Sequence, residues 1–106
     1  MNDYTPDKWV ILEISSEKDG TYRKILSSWH GGYLGQDEWK LSSSILKQSK
    51  NENYFHFTTE SNSTYSCCKK AYGMSLLATG VLNKMMDKCK NINTSTKVID
   101  ITELEK

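Results

Sequence analysis

Apolar and polar residues alternate along most of the chain up to Tyr72, and beyond it the period changes. Val10, Leu12 and Ile14 share one face of a strand predicted over Trp9–Ile14. Glu17–Gly20 ends in Asp-Gly, a tight-hairpin signal, so Thr21–Trp29 is predicted to pair back with Ile25, Ser27 and Trp29 on one face. Trp39, Leu41, Ser43 and Ile45 alternate with Lys40, Ser42 and Ser44, which predicts a third strand over Glu38–Ile45. Lys47–Asn53 (KQSKNEN) has no apolar residue and reads as a solvated connector. In Tyr54–Thr58, Phe55 and Phe57 share one face and Tyr54 and His56 the other. Glu60–Ser63 carries turn chemistry, because Asn and Ser side chains bond local backbone. Thr64–Lys69 follows as a fifth strand in which Tyr65, Cys67 and Lys69 alternate with Ser66 and Cys68.

After Tyr72-Gly73 the apolar positions Met74, Leu77, Ala78, Val81, Leu82, Met85 and Cys89 fall at helical spacing. Ser75 suits an N-cap, and Gly80 inside the helix suits a close approach of the sheet. The edge at Met85, Met86 and Cys89 could serve a homo-oligomer. Lys97–Thr102 reads as a short closing strand, with Ile99 and Ile101 inward. The pattern predicts an α+β fold: a curved antiparallel sheet of about five strands packed on one C-terminal helix, with a short final strand. Residues 1–106 read as a single domain, with 1–7 as a loose N-terminal arm.

Composition narrows the function classes. The formal net charge is +1 with 25% charged residues, without the basic excess of a general nucleic-acid binder. No run of about 18 apolar residues is present, so no membrane span is expected. The polar start MNDYTPDK predicts no secretory leader. Three cysteines, two of them adjacent at Cys67-Cys68, match neither a disulfide framework nor zinc spacing and fit a reducing cytoplasm. No cofactor or metal is expected.

The candidate chemistry centres on Ser27–Ile45, where His30-Gly31-Gly32-Tyr33-Leu34-Gly35-Gln36-Asp37 joins two strands. Gly31, Gly32 and Gly35 suit either an awkward turn or a ligand lying against backbone. In the plainer alternative, Tyr33 and Leu34 plug a core beneath a wide hairpin connection. Trp29, Tyr33, Trp39 and Tyr65 are the rings suited to stack a planar ligand and bond its edge. His30 could be a base, a phosphate donor or a hydrogen-bonded turn residue, and no nucleophile or acid stands at a fixed spacing from it. Cys67 and Cys68 point to opposite faces of a strand, so they do not act as a pair. Lys69 and Lys70, before the amides of Gly73–Leu76, form the best anion site in the chain. The expected ligand-binding set is Trp29, His30, Gly31, Gly32, Tyr33, Trp39, Ser42, Ser63, Tyr65, Lys69 and Lys70.

The string W-H-G-G-Y-L-G-x-D-E-W-K-L-x-S-x-I, the later N-S-T-Y-x-C turn and the Y-G-M that leads into the helix resemble a family of small bacteriophage and prophage proteins. The resemblance runs from about Trp9 to the end of the helix. The matching positions are Trp29, Gly31, Gly32, Tyr33, Gly35, Trp39, Leu41, Ser42, Ile45, Ser61, Ser63 and Tyr65. Lys40 stands where the family has Arg, and Ser44 and Asn62 where it has Gly. The resemblance implies a phage context and a bacterial cytoplasm, and no mechanism. Within that context we expect a non-enzymatic counter-defence protein that sequesters a small planar or phosphorylated, nucleotide-like signal. The alternative is an inhibitor that binds a host protein through exposed aromatics.

Overall fold

The computed structural model describes residues 2–18, 20–29, 38–74, 76–89 and 94–104. Its strands are β1 (Asn2–Tyr4), β2 (Lys8–Ser16), β3 (Gly20–Trp29), β4 (Glu38–Leu41), β5 (Ile45–Lys50), β6 (Tyr54–Thr59), β7 (Ser63–Cys68) and β8 (Thr94–Val98). The helices are α1 (Leu76–Cys89) and α2 (Ile101–Leu104), and a 3-10 turn spans Lys69–Ala71. One sheet has the order β1-β7-β6-β5 and the second β4-β3-β2-β8. The α+β class therefore holds, but two four-stranded sheets replace the single curved sheet of about five strands.

The reason lies in β2. Trp9, Val10, Ile11 and Leu12 are all buried, so this strand faces apolar material on both sides. Trp9 and Ile11 meet Ile25, Phe55, Phe57, Tyr65 and Cys67 between the sheets. Val10 and Leu12 meet Leu26 and Leu82 beneath α1. Fully burying one such side chain contributes about 1.5–3 kcal/mol, so the doubly covered strand anchors three layers: sheet, sheet, helix.

Three expectations about elements change. The alternation over Glu38–Ile45 is not one strand: β4 ends at Leu41 and β5 starts at Ile45 in the other sheet. Ser42–Ser44 make the crossing. Ser42 N donates to Ile25 O (2.9 Å), Glu60 N donates to Ser44 O (2.9 Å), and Ser43 Oγ accepts from Ser61 N (3.0 Å). Lys47–Asn53 is a connector only at its end, because β5 runs to Lys50 as the polar edge of its sheet. Within the stretch expected as an N-terminal arm, Asn2, Asp3 and Tyr4 pair in parallel with Ser63, Thr64 and Tyr65 as β1. The closing strand is Thr94–Val98, and Asp100 caps α2 through Thr102 N to its Oδ1 (3.1 Å) and Glu103 N to its carbonyl (3.0 Å).

Two local conformations explain residue choice. Asn62 turns the β6–β7 hairpin at φ 64°, a left-handed region that Gly and Asn reach most readily. Gly80 is exposed, and among the described residues nothing lies within 4 Å of the place a Cβ would take, so the sheet does not make the close approach expected there. Ser75 lies outside the described residues.

Candidate functional site

The expected site residues separate into four places. His30, Gly31, Gly32 and Tyr33 lie outside the described residues. Trp29 and Tyr65 come together around a residue that sequence reasoning missed, Tyr4. Its ring stacks on Tyr65 (centroids 4.8 Å) and leans on Trp29 (6.2 Å), with Lys40 Nζ 5.3 Å from its centre. Trp29 Nε1 donates to Thr5 O at 3.1 Å. Tyr65 is buried, and desolvation pushes its phenol up to about 12. It belongs to the inter-sheet core, and the Tyr4 stack closes the sheet edge over it.

Trp39 is not part of this cluster. It pairs with Ser28 as Leu41 pairs with Leu26, so its side chain stands on the α1 side of the second sheet, opposite Trp29 and Lys40. Ser42 is buried and its hydroxyl is occupied, accepting from Ile25 N (2.8 Å) and donating to Ser43 O (2.7 Å). Ser63 is buried at the start of β7, with its hydroxyl 3.4 Å from Ser61 Oγ. Both serines shape turns between elements.

Lys69 and Lys70 do reach a common surface. With Glu52, Asn53, Tyr54 and Cys68 they line an open depression of about 260 Å³. The local folding is plain: Asn51 Oδ1 accepts from Asn53 N and Tyr54 N (2.9 Å each), closing the β5–β6 turn. Lys69 N then donates to Asn53 O (2.9 Å), bringing the 3-10 turn onto the hairpin tip. Lys69 Nζ lies 5.2 Å from the centre of the Phe55 ring, and Lys70 is exposed. The helix amides expected beside these lysines are elsewhere. Tyr72–Gly73 carries the chain across to Trp9, with Gly73 N donating to Trp9 O (2.8 Å), and α1 packs on the other sheet.

The depression opens onto the outer face of its sheet. There Tyr54 and His56 are stacked (6.3 Å, 21°), and register sets Cys68 opposite Tyr54 and Ser66 opposite His56. His56 Nδ1 is 3.0 Å from Ser66 Oγ, and its Nε2 is 3.3 Å from Asn51 Nδ2. Because Asn51 Oδ1 is held by two backbone donors, its amide nitrogen faces the ring, and Nε2 must accept. The ring proton therefore sits on Nδ1 and points at Ser66. That is the wrong direction for a histidine that activates a serine, which needs a free acceptor toward the hydroxyl. The signal was present in sequence: a turn at Glu60–Ser63 sets His56 opposite Ser66.

The cysteines separate as expected. Cys67 is fully buried between the sheets, where desolvation pushes its thiol far up. Cys68 lies half-buried on the outer face. Among the described residues no group of three His, Cys, Asp or Glu side chains is placed to hold a metal ion, and no helix is long and apolar enough to cross a membrane. No family model, curated protein or solved structure matches the chain.

Proposed function

We propose that the protein is a non-enzymatic binding module that captures a small, planar, anionic molecule at the Tyr54–Lys69–Lys70 depression. One observation carries this reading: an aromatic ring, two lysines and the polar groups of Asn53 and Glu52 line one open concavity. A planar base or ring rests on Tyr54, which His56 backs, and phosphate oxygens face the exposed ammonium group of Lys70. Sequestering a nucleotide-like signal in a phage-infected cell asks no more of a protein than such a surface. The orientation of His56 toward Ser66 also supports a binding role over a hydrolytic one.

Calorimetric titration with a panel of linear and cyclic nucleotides, at two salt concentrations, tests the reading. Base stacking on an aromatic side chain contributes about 1–3 kcal/mol, so Tyr54→Ala should weaken binding about tenfold. Lys70→Ala should remove much of the salt dependence, since exposed charges are screened over about 8 Å at physiological ionic strength. Absence of heat with every nucleotide would refute the proposal. In the alternative, the protein docks on a host protein through Trp39, which is 46% exposed. That reading leads if Trp39→Ala, and not Tyr54→Ala, abolishes function.

A further inference from the structure

The edge strand β4 reads E-W-K-L, and its open side has a symmetry of its own. Among the described residues β4 pairs only with β3. Ser42 N donates to Ile25 O, so the backbone groups of Lys40 and Glu38 also turn toward β3, by the alternation of an antiparallel ladder. The N–H and C=O of Trp39 therefore face outward. Glu38 and Lys40 flank Trp39 on the sheet-sheet side, while the Trp39 ring, 46% exposed, stands on the α1 side.

We propose that β4 is a homodimer interface: two copies pair edge to edge, antiparallel, about a two-fold axis at Trp39. In that register Trp39 N–H donates to the partner's Trp39 carbonyl, and the reverse bond follows by symmetry. Glu38 then lies opposite the partner's Lys40, and Lys40 opposite the partner's Glu38. On the other face the two indoles meet. A two-fold contact must be self-complementary, and this four-residue strand is so in hydrogen bonding, charge and apolar surface together.

The other edges lack that property. β5 carries Lys47 and Lys50 and is bulged at Leu46, the devices that keep a strand from pairing outward. β1 has three residues, and the one charged residue of β8, Lys97, bonds Glu13 at 3.5 Å. The second copy is therefore the occupant that the chemistry of β4 selects, and it leaves the Tyr54 depression on the other sheet untouched.

Sedimentation velocity of the full chain, from low to high micromolar concentration, provides the test. The wild type should pass from monomer to dimer. Glu38→Lys sets lysine against lysine and Lys40→Glu sets acid against acid, and each should weaken the dimer by at least about tenfold. Mixing these two variants in equal amounts should restore dimerisation, because each strand then meets its opposite. Trp39→Pro removes both the outward N–H and the indole while leaving the bonds of Glu38 and Lys40 to β3, and should give a folded monomer by circular dichroism; if that variant misfolds, the mixing experiment still decides. A wild type that stays monomeric throughout, single reversals that leave the dimer unchanged, or a mixture no tighter than its components would each overturn the proposal.

Discussion

Single side chains do much of the joining between layers. Tyr72 is the clearest case. Its hydroxyl donates to Ile99 O and accepts from Ile11 N (3.2 Å), while its ring packs edge-on against Trp9 at 4.7 Å. Removing the oxygen leaves a backbone carbonyl and a backbone N–H without that partner in a partly buried place. An unsatisfied buried group costs about 1–3 kcal/mol. Tyr72→Phe should therefore lower the unfolding free energy by about that amount, read as a shift in the urea midpoint with an unchanged slope. Ser27 and Ser28 present the opposite case: their hydroxyls are buried and, among the described residues, without a hydrogen-bond partner. Neither role was legible in sequence. Tyr72 reads there as a strand breaker and Ser27 as one face of a strand, because a hydrogen bond across 27 or 61 positions leaves no local periodicity.

Elements were legible where the period was long and clean. The stripe through Val81, Leu82 and Met85 does lie on the sheet, as spacing indicated. Gly80 is the exception within that helix, since it faces solvent with open space at its Cβ position. Alanine exceeds glycine in helix propensity by about 0.8–1.0 kcal/mol. Gly80→Ala should raise stability by about that much, visible as a higher thermal midpoint; a destabilised variant would mean that something packs against this position. The serine crossing shows the limit of pattern reading. Alternation continues through Trp39–Ile45 because both halves are extended, yet period alone cannot register that the chain changes sheets at Ser42–Ser44. Likewise β5 looks like a loop because an edge strand outside the core has few apolar residues to display.

At the scale of the molecule, α2 closes one end of the space between the sheets. Ile101 and Leu104 pack onto the inter-sheet core, and Gln48 Nε2 donates to Leu104 O at 3.1 Å. A charged ladder holds it: Arg23 bonds Glu13 Oε2 through Nε and a terminal nitrogen (3.2 and 3.1 Å), Lys97 approaches Oε1 (3.5 Å), and Arg23 reaches Glu103 (3.8 Å). Hydrogen bonding from Arg23 holds the Glu13 carboxyl below its ordinary 4.5, against a smaller opposing effect of desolvation. A carboxylate whose value falls on folding stabilises the fold above its unfolded value, and that contribution is lost as pH drops through the folded value. Urea unfolding of wild type should therefore weaken steadily as pH falls below about 4.5. Glu13→Gln should be less stable at neutral pH and show a flatter acid limb. Equal acid limbs in the two proteins would show that the ladder contributes nothing.

The sequence by itself determined the α+β class, β2, β3, β6 and β7 nearly to their ends, the body of α1 and the opposition of Cys67 and Cys68. All of these rest on side-chain period, which is a local property of the backbone. It also singled out Lys69 and Lys70, because adjacent lysines at a strand end are visible without a fold. The tertiary structure alone decided that the strands divide between two sheets, that Tyr4 returns to stack on Tyr65, and that Trp39 turns away from Trp29. It moved the partners of the lysines from the helix amides to Tyr54, Asn53 and Glu52. Those outcomes depend on which surfaces meet once the W-V-I-L run of β2 is covered on both faces, and burial of that kind is settled between segments far apart in the chain.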